Sequence, residues 1–402
     1  MIPTVSLEIG MYLCTNIYDS SGTLLLAKDN LIESDRQLSR ILEATNYYTF
    51  IDTEKGRDVK IDDIVIDRNE NPYFSYTYEA SQIIEFAREF EIAKSLFINS
   101  VDETERLLDD EQNGYSSIHL TKVINLLNKF IESIERSSKA LFIIAKTFQS
   151  KNYLIYHTLN VTIISMLLAK YSGYKRQDII GIGLAGYFHD FGLAEVPADI
   201  LNKNDKLTDD EWVIIKRHPK FSLDRIKNIS GFPSESIQAI LEHHERIDGS
   251  GYPKGLHGES ISDFAGIVAI ADVFDAMTTN RSYNEGFSLH EGVSVLYGLK
   301  ELKSDLIGKF INVIGIYPIG TLVKLTSGEV GIVISVNSES LLRPMIGVVF
   351  DAERVKRENL YEYIDLSNVL EESAIEKVLE PKIWEIDISE YFENLVPYEL
   401  FS

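Results

Sequence analysis

The sequence predicts a mainly α-helical protein, with a small α+β module at its N-terminus and a small β module near its C-terminus. Three observations carry this expectation. Apolar residues recur every three or four positions from about residue 77 to 305. Short strand-like runs around a turn mark the first 70 residues. After residue 311 a period of two takes over, in GTLVKLTSGEVGIVISVN (320–337).

In chain order, MYLCTNIYDSSGTLLLAKDN reads as two short strands around an Asp-Ser-Ser-Gly turn. ESDRQLSRILEAT has helical spacing, and YYTFIDT reads as a further strand. The polar DRNENPYFS (67–75), with Pro72, closes this module at residues 1–72. Residues 77–124 read as a helical linker region, broken by GYSS at 114–117. The main helical domain spans 125–308, cut by loops at 171–176, 191–207, 229–235, 247–260 and 280–287. Residues 311–402 form the β module, with TSGE as a tight turn, PMIGVVFD as a further strand and an acidic tail in which Trp384 can dock on the body.

The chain has 402 residues and a net charge of −23, so two or three domains are expected and a general nucleic-acid-binding face is not, since phosphate backbones need Lys and Arg. A small anionic ligand held locally remains compatible with that charge. The single cysteine, Cys14, can build neither a disulfide framework nor a thiolate metal site, which fits a cytoplasmic location. The longest apolar run, IIGIGLAGYF (179–188), is about half of the ~20 residues a spanning helix needs, so no membrane span is expected.

Seven of the eight histidines lie between 157 and 290. His157 is followed one helical turn later by Asn160. His189 and Asp190 end the nearly uncharged GIGLAGYFHDFG. His218 sits in IKRHPKF, His243 and His244 in LEHHER, and Asp272 in the apolar AIADVFDAMT. A carboxylate in such surroundings loses hydration at a cost of several kcal/mol unless it is paired, and a metal ion offsets that loss. Neighbouring residues of a regular helix point about 100° apart, so His243 and His244 are expected to serve two ions rather than one, with Asp190 able to bridge them. Nitrogen and carboxylate ligands without thiolate suit iron, manganese, zinc, nickel or cobalt. Two such ions about 3.5–4 Å apart are a device for phosphoryl displacement. His119, His257 and His290 lack ligand-like neighbours and read as structural.

Together these residues resemble the HD-GYP family of metal-dependent phosphohydrolases. The HD is His189-Asp190. The GYP is Gly251-Tyr252-Pro253, within HHERIDGSGYP (243–253), and IADVFDAMTTNRSY follows downstream. The resemblance covers about 125–305 and implies an all-helical HD-type catalytic domain. It implies hydrolysis of cyclic di-GMP to linear pGpG, with cleavage onward to GMP left open, by a two-metal centre with a metal-bound hydroxide as nucleophile. His157, His189, Asp190, His218, His243, His244 and Asp272 would hold two divalent transition-metal ions, iron or manganese, with Asp190 bridging and catalytic. Arg281, Gly251, Tyr252 and Pro253 would shape the substrate site, and the GYP loop could meet a signalling protein partner. The glycines allow close backbone approach, and Pro253 favours an extended Tyr252.

Three departures from the family pattern stand out. HDFGL has Leu193 where the family often has lysine, and RSYN has Asn284 where a second basic residue is common. No acidic residue precedes His157 to hold a third metal, so a binuclear centre is expected. The first two departures keep a second reading in play, a catalytically weak metal-containing receptor for cyclic di-GMP or signalling scaffold. A phosphohydrolase acting on another nucleotide is a third. A homodimer through the 77–150 helices is compatible with their apolar faces.

Overall fold

The computed structural model describes residues 2–3, 9–13, 17–18, 24–26, 30–34, 36–37, 48–49, 76–112, 120–148, 152–201, 203, 205–279, 286–356, 363–367 and 373–393. The chain divides into two compact units, Met1–Glu79 with Pro397–Ser402, and Ala80–Val396. Arg281, Asn284, His119, the GYSS break and the polar boundary at 67–75 lie outside the described residues, as does most of the helical stretch expected after residue 33.

The described residues of the first unit form three short antiparallel pairings: β1 (Ile2–Pro3) with β6 (Tyr48–Thr49), β2 (Tyr12–Leu13) with β5 (Asn30–Leu31), and β3 (Ile17–Tyr18) with β4 (Leu24–Leu26). The Asp-Ser-Ser-Gly stretch between the strands of the last pair lies outside the described residues. Met11 and Ile32 are fully buried, and Ile32 N–H donates to the Met11 carbonyl at 2.9 Å.

The second unit is built on two helices that are apolar on nearly every face, α4 (Tyr153–Tyr171) and α10 (Asp263–Thr278). A helix without a polar face has to be covered all round, so these two form the centre. Around α4 pack α5 (Arg176–Phe188), α3 (Ala140–Thr147), α12 (Ser304–Ile314) and α10 itself; α9 (Ser234–Glu242) and α11 (Leu289–Gly298) pack on α10. The amphipathic α2 (Leu120–Arg136) buries Val123, Leu127, Phe130 and Ile134 on its inner stripe. The long α1 (Tyr76–Gln112) docks through Phe90, Ala93 and Phe97, and its buried Glu89 accepts from Arg136 Nη2 at 2.9 Å.

The GIGLAG run of α5 explains how closely it lies on α4. A side chain at Gly186 would meet Thr162 Cα at 3.1 Å, so only glycine lets the two backbones come this near. That approach sets the end of α5, His189, over α4: the rings of His157 and His189 stand 5.3 Å apart. Between α5 and α9 run a 3-10 turn (Phe191–Glu195) and the short helices α6 (Ala198–Leu201), α7 (Asp209–Ile215) and α8 (His218–Ile226). A capping box of Thr208 and Glu211 starts α7, and another of Ser288 and Glu291 starts α11.

After α12 the chain forms a five-stranded antiparallel sheet in the order β10-β9-β8-β7-β11, from β7 (Leu322–Leu325), β8 (Val330–Ser335), β9 (Met345–Phe350), β10 (Tyr363–Asp365) and β11 (Ile375–Val378). The TSGE turn joins β7 to β8. The sheet takes β11 from the acidic tail, and helix α12 runs on to Ile314. Trp384 docks on the sheet through Phe350, ring centroids 5.5 Å apart. His290, read as structural, stacks on Tyr317 at 4.9 Å. No helix among the described residues is long and apolar enough to cross a membrane.

Candidate metal centre

Three of the histidines share one local device. His189 Nδ1–H donates to the Gly186 carbonyl at 2.7 Å, His218 to Ile215 at 2.8 Å, and His243 to Ile240 at 2.7 Å. Each accepting carbonyl belongs to the last turn of a helix, α5, α7 or α9, where main-chain oxygens lack an intrahelical partner. With Nδ1–H spent on the backbone, Nε2 is the free ligand atom and its direction is fixed. His157 reaches the same end differently. It sits inside α4, and its Nδ1–H donates to Asp275 Oδ2 at 2.7 Å.

These rings converge on Asp190. Its Oδ1 lies 3.1 Å from His218 Nε2 and 3.9 Å from His243 Nε2, while Oδ2 lies 3.4 Å from His189 Nε2 and 3.6 Å from His157 Nε2. Asp272 Oδ1 is 3.2 Å from His157 Nε2, and its Oδ2 is 3.8 Å from His244 Nδ1. The potential ligand atoms fall into two groups, Asp190 with His218, His243 and His244, and His157 with His189 and Asp272. The seven residues expected from the sequence to hold metal are therefore brought together in space. The neighbouring imidazoles depart from expectation. His243 and His244 fall in one group, because α9 ends at Glu242 and the two rings, 4.1 Å apart, stand in the turn after it rather than on a regular helix.

The donor set fits metal ions. His218 Nε2 and His243 Nε2 face each other at 3.3 Å, and both rings have already used Nδ1–H, so two lone pairs meet unless a cation separates them. His189 Nε2 is fully buried with no hydrogen-bond partner. The protonation preferences differ across the cluster. Burial opposes charge on His157, but the Asp272 and Asp275 carboxylates outweigh it and push the ring up to about 10. Burial likewise opposes charge on Asp190, yet His189 and His218 hold it well below the usual carboxylate range. His243 and His244 are held well below the ordinary histidine value, first by burial and then by neighbouring rings and, for His244, by Arg246.

Behind the ligands lies a buried charged group that the sequence reading did not single out. Asp275 Oδ1 accepts from Lys146 Nζ at 2.6 Å, Asn160 Nδ2 at 2.9 Å and Thr279 Oγ1 at 3.0 Å, opposite its bond to His157. The signal was present in AIADVFDAMT, since Asp275 breaks the same apolar helix as Asp272.

The GYP loop folds straight back on the centre. A side chain at Gly251 would meet His244 O and Glu245 Cα at 2.5 Å, so this glycine permits the contact. Tyr252 N–H donates to His244 O at 3.2 Å, and the Tyr252 ring rests on His244 with centroids 4.6 Å apart. The buried Glu245 pins the loop by accepting from Lys254 N–H at 2.7 Å and Leu256 N–H at 2.9 Å. The residue after HD and Gly192, Leu193, is half-buried in the 3-10 turn.

With this geometry in view, the similarity to known proteins becomes specific. The chain is 30% identical over 359 residues to the Pseudomonas aeruginosa protein named cyclic di-GMP phosphodiesterase PA4108, covering 87% of this chain and 85% of that one. This chain belongs to the HD-GYP family. Within it, the family model described as HD domain matches residues 148–303, and one described as KOW domain associated with HD domain matches 322–385. Two further relatives match over shorter stretches. The Xanthomonas campestris cyclic di-GMP phosphodiesterase response regulator RpfG is 40% identical over 138 residues, 33% of this chain and 36% of that one. The Vibrio cholerae 3'3'-cGAMP-specific phosphodiesterase 1 is 34% identical over 164 residues, 40% of this chain and 38% of that one. This HD-GYP chain thus spans little more than a third of the last two relatives.

Proposed function

We propose that the chain hydrolyses a phosphodiester bond of cyclic di-GMP to give linear pGpG, with two divalent ions, iron or manganese, as cofactors. The observation that carries this reading is the position of Asp190, whose two oxygens face two different pairs of histidine Nε2 atoms. His157, His189 and Asp272 would hold one ion, and His218, His243 and His244 the other, with Asp190 shared. When bound, such ions supply Lewis-acid stabilisation of phosphoryl charge and a lowered pKa for water.

The chain's own groups prepare the site. The main-chain carbonyls of Gly186, Ile215 and Ile240 fix three ring tautomers, and Asp275 fixes the fourth. Tyr252 covers one flank of His244, and burial first, then the Asp190 and Asp272 carboxylates, raise its phenol, so it stays neutral and can donate to a phosphate or base. Arg281 is assigned to a substrate phosphate, and Gly251, Tyr252 and Pro253 to the pocket edge. We assign catalysis to 125–308, with 1–72 and 311–402 as accessory modules and 77–124 between them. The location is cytoplasmic, the assembly a homodimer, and the exposed edge of the GYP loop a surface for a protein partner.

Leu193 supports a second reading, a receptor that binds cyclic di-GMP without turnover. The test is chromatography of products after incubating protein loaded with manganese or ferrous iron with cyclic di-GMP and, separately, with 3'3'-cGAMP. Release of pGpG, abolished by Asp190→Ala, is expected. Binding without cleavage selects the receptor. Cleavage of 3'3'-cGAMP alone replaces the substrate.

A further inference from the structure

We infer that Lys216 and Arg246 form a second anion subsite, which holds the phosphodiester of the cyclic dinucleotide that is not being cut. The inference rests on the activity proposed above. A cyclic dinucleotide carries two phosphodiesters, and only one can lie at the Asp190 cluster at a time. The other keeps its negative charge and meets a protein of net charge −23. It needs a cation of its own.

Several cations on nearby elements are already committed. Arg225 pairs with Glu195 at 3.1 Å and lies over the Phe191 ring. Lys203 pairs with Glu211 at 2.7 Å, Lys254 faces Glu242 at 3.5 Å, and Lys146 is buried on Asp275. The HD turn offers the apolar Leu193.

Lys216 differs. It caps the end of α7, is exposed, and among the described residues has no carboxylate within ion-pair distance. Its Nζ is instead held 5.7 Å from the centroid of the Tyr252 ring. That ring lies 4.6 Å from His244 and 6.3 Å from His218, so two ring contacts tie the ammonium to the metal cluster. A cation over an aromatic face keeps its charge available to an anion, because the ring supplies no counter-charge.

Arg246 lies two residues after His244. Its Nη1–H groups donate to the carbonyls of His243 at 3.2 Å and Glu245 at 2.9 Å. Among the described residues it too has no carboxylate partner, and its remaining nitrogens can take a phosphate oxygen. Both carbonyls flank His244, whose own carbonyl accepts from Tyr252 N–H, so Arg246 is anchored on the main chain that carries the Tyr252 contact. Lys216 over the Tyr252 ring and Arg246 on the His243 and Glu245 carbonyls thus both stand beside the segment that carries His244.

Steady-state kinetics on two substrates test this. Cyclic di-GMP has two phosphodiesters; bis(p-nitrophenyl) phosphate has one. K216M is expected to raise KM for cyclic di-GMP about tenfold, the loss of one charge-assisted hydrogen bond, with kcat within about twofold. Hydrolysis of bis(p-nitrophenyl) phosphate and metal content per chain should not change, and K216R should stay near wild type. R246Q, checked for an unchanged melting temperature, should raise KM further in the K216M background. An unchanged KM in K216M, or an equal loss on both substrates, overturns the subsite. Wild-type protein that cleaves bis(p-nitrophenyl) phosphate but neither binds nor cleaves cyclic di-GMP overturns the proposed activity itself.

Discussion

Asp275 Oδ2 accepts the Nδ1–H of His157 at 2.7 Å while its other oxygen takes the ammonium of Lys146 at 2.6 Å. Both side chains are buried, so neither charge has water to fall back on. The pair sets the direction in which His157 Nε2 points. Asp275→Asn keeps the shape but removes the charge that balances Lys146. It should lower metal affinity about 10–100-fold, as for other partners of ligating histidines. It should also destabilise the fold by about 3–5 kcal/mol through the stranded ammonium. Lys146→Met in the same background should restore much of the stability and none of the affinity. Metal retained against graded chelator, alongside melting curves, separates the two effects; equal recovery of both would contradict this role.

Glu245 acts on the GYP loop rather than on metal. Each of its oxygens accepts a main-chain N–H, from Lys254 and Leu256. Glu245→Gln replaces one acceptor with a donor and should cost about 1–3 kcal/mol. Amide exchange should quicken at Lys254 and Leu256, and KM should rise with metal content unchanged. Slow exchange in the variant would show that the loop is held elsewhere.

Gly192 has no room for a methyl group. A Cβ there would lie 2.2 Å from His218 O and 2.3 Å from Ser222 N, both on α8 backbone that cannot swing aside. Gly192→Ala should cost at least the 1–3 kcal/mol typical of overpacking and should pull His218 off the cluster. A lower melting temperature together with reduced metal content is the expected outcome. Wild-type values of both would mean that α8 gives way freely.

Tyr187 supplies an alkaline limit. Burial pushes its phenol up to about 12, against the opposing effect of its hydrogen bond with Thr104. The folded pKa is raised, so the neutral phenol is favoured in the folded state. That contribution is complete below about pH 10 and is lost between pH 10 and 12, a span worth about 3 kcal/mol at most. Tyr187→Phe should lose about 1 kcal/mol at neutral pH with the hydrogen bond. It should be less sensitive than wild type between pH 10 and 12, as urea melts at both pH values would reveal.

The sequence made some of this legible and hid the rest for physical reasons. His189, Asp190 and Asp272 were visible because a charged or ligating group in an apolar helix demands a partner. Asp275 carries the same mark, but its partner Lys146 lies 129 positions away, where only packing brings them together. The grouping of His243 with His244 is not legible, because the last helical residue of α9 cannot be placed from periodicity alone. Strand β11 was hidden in an acidic tail whose pairing with β7 depends on a register shift between Ile375 and Lys377.

The imidazoles bonded back to Gly186, Ile215 and Ile240 give the centre an unusual ruler. Their spacing is written in the last turns of three helices, through the carbonyl three residues ahead of each ring, and not in the bulk of the surrounding side chains. Conservative core exchanges can then drift without disturbing the cluster. A single inserted or deleted residue inside any of those three tetrapeptides would turn a ring by about 100° and silence it.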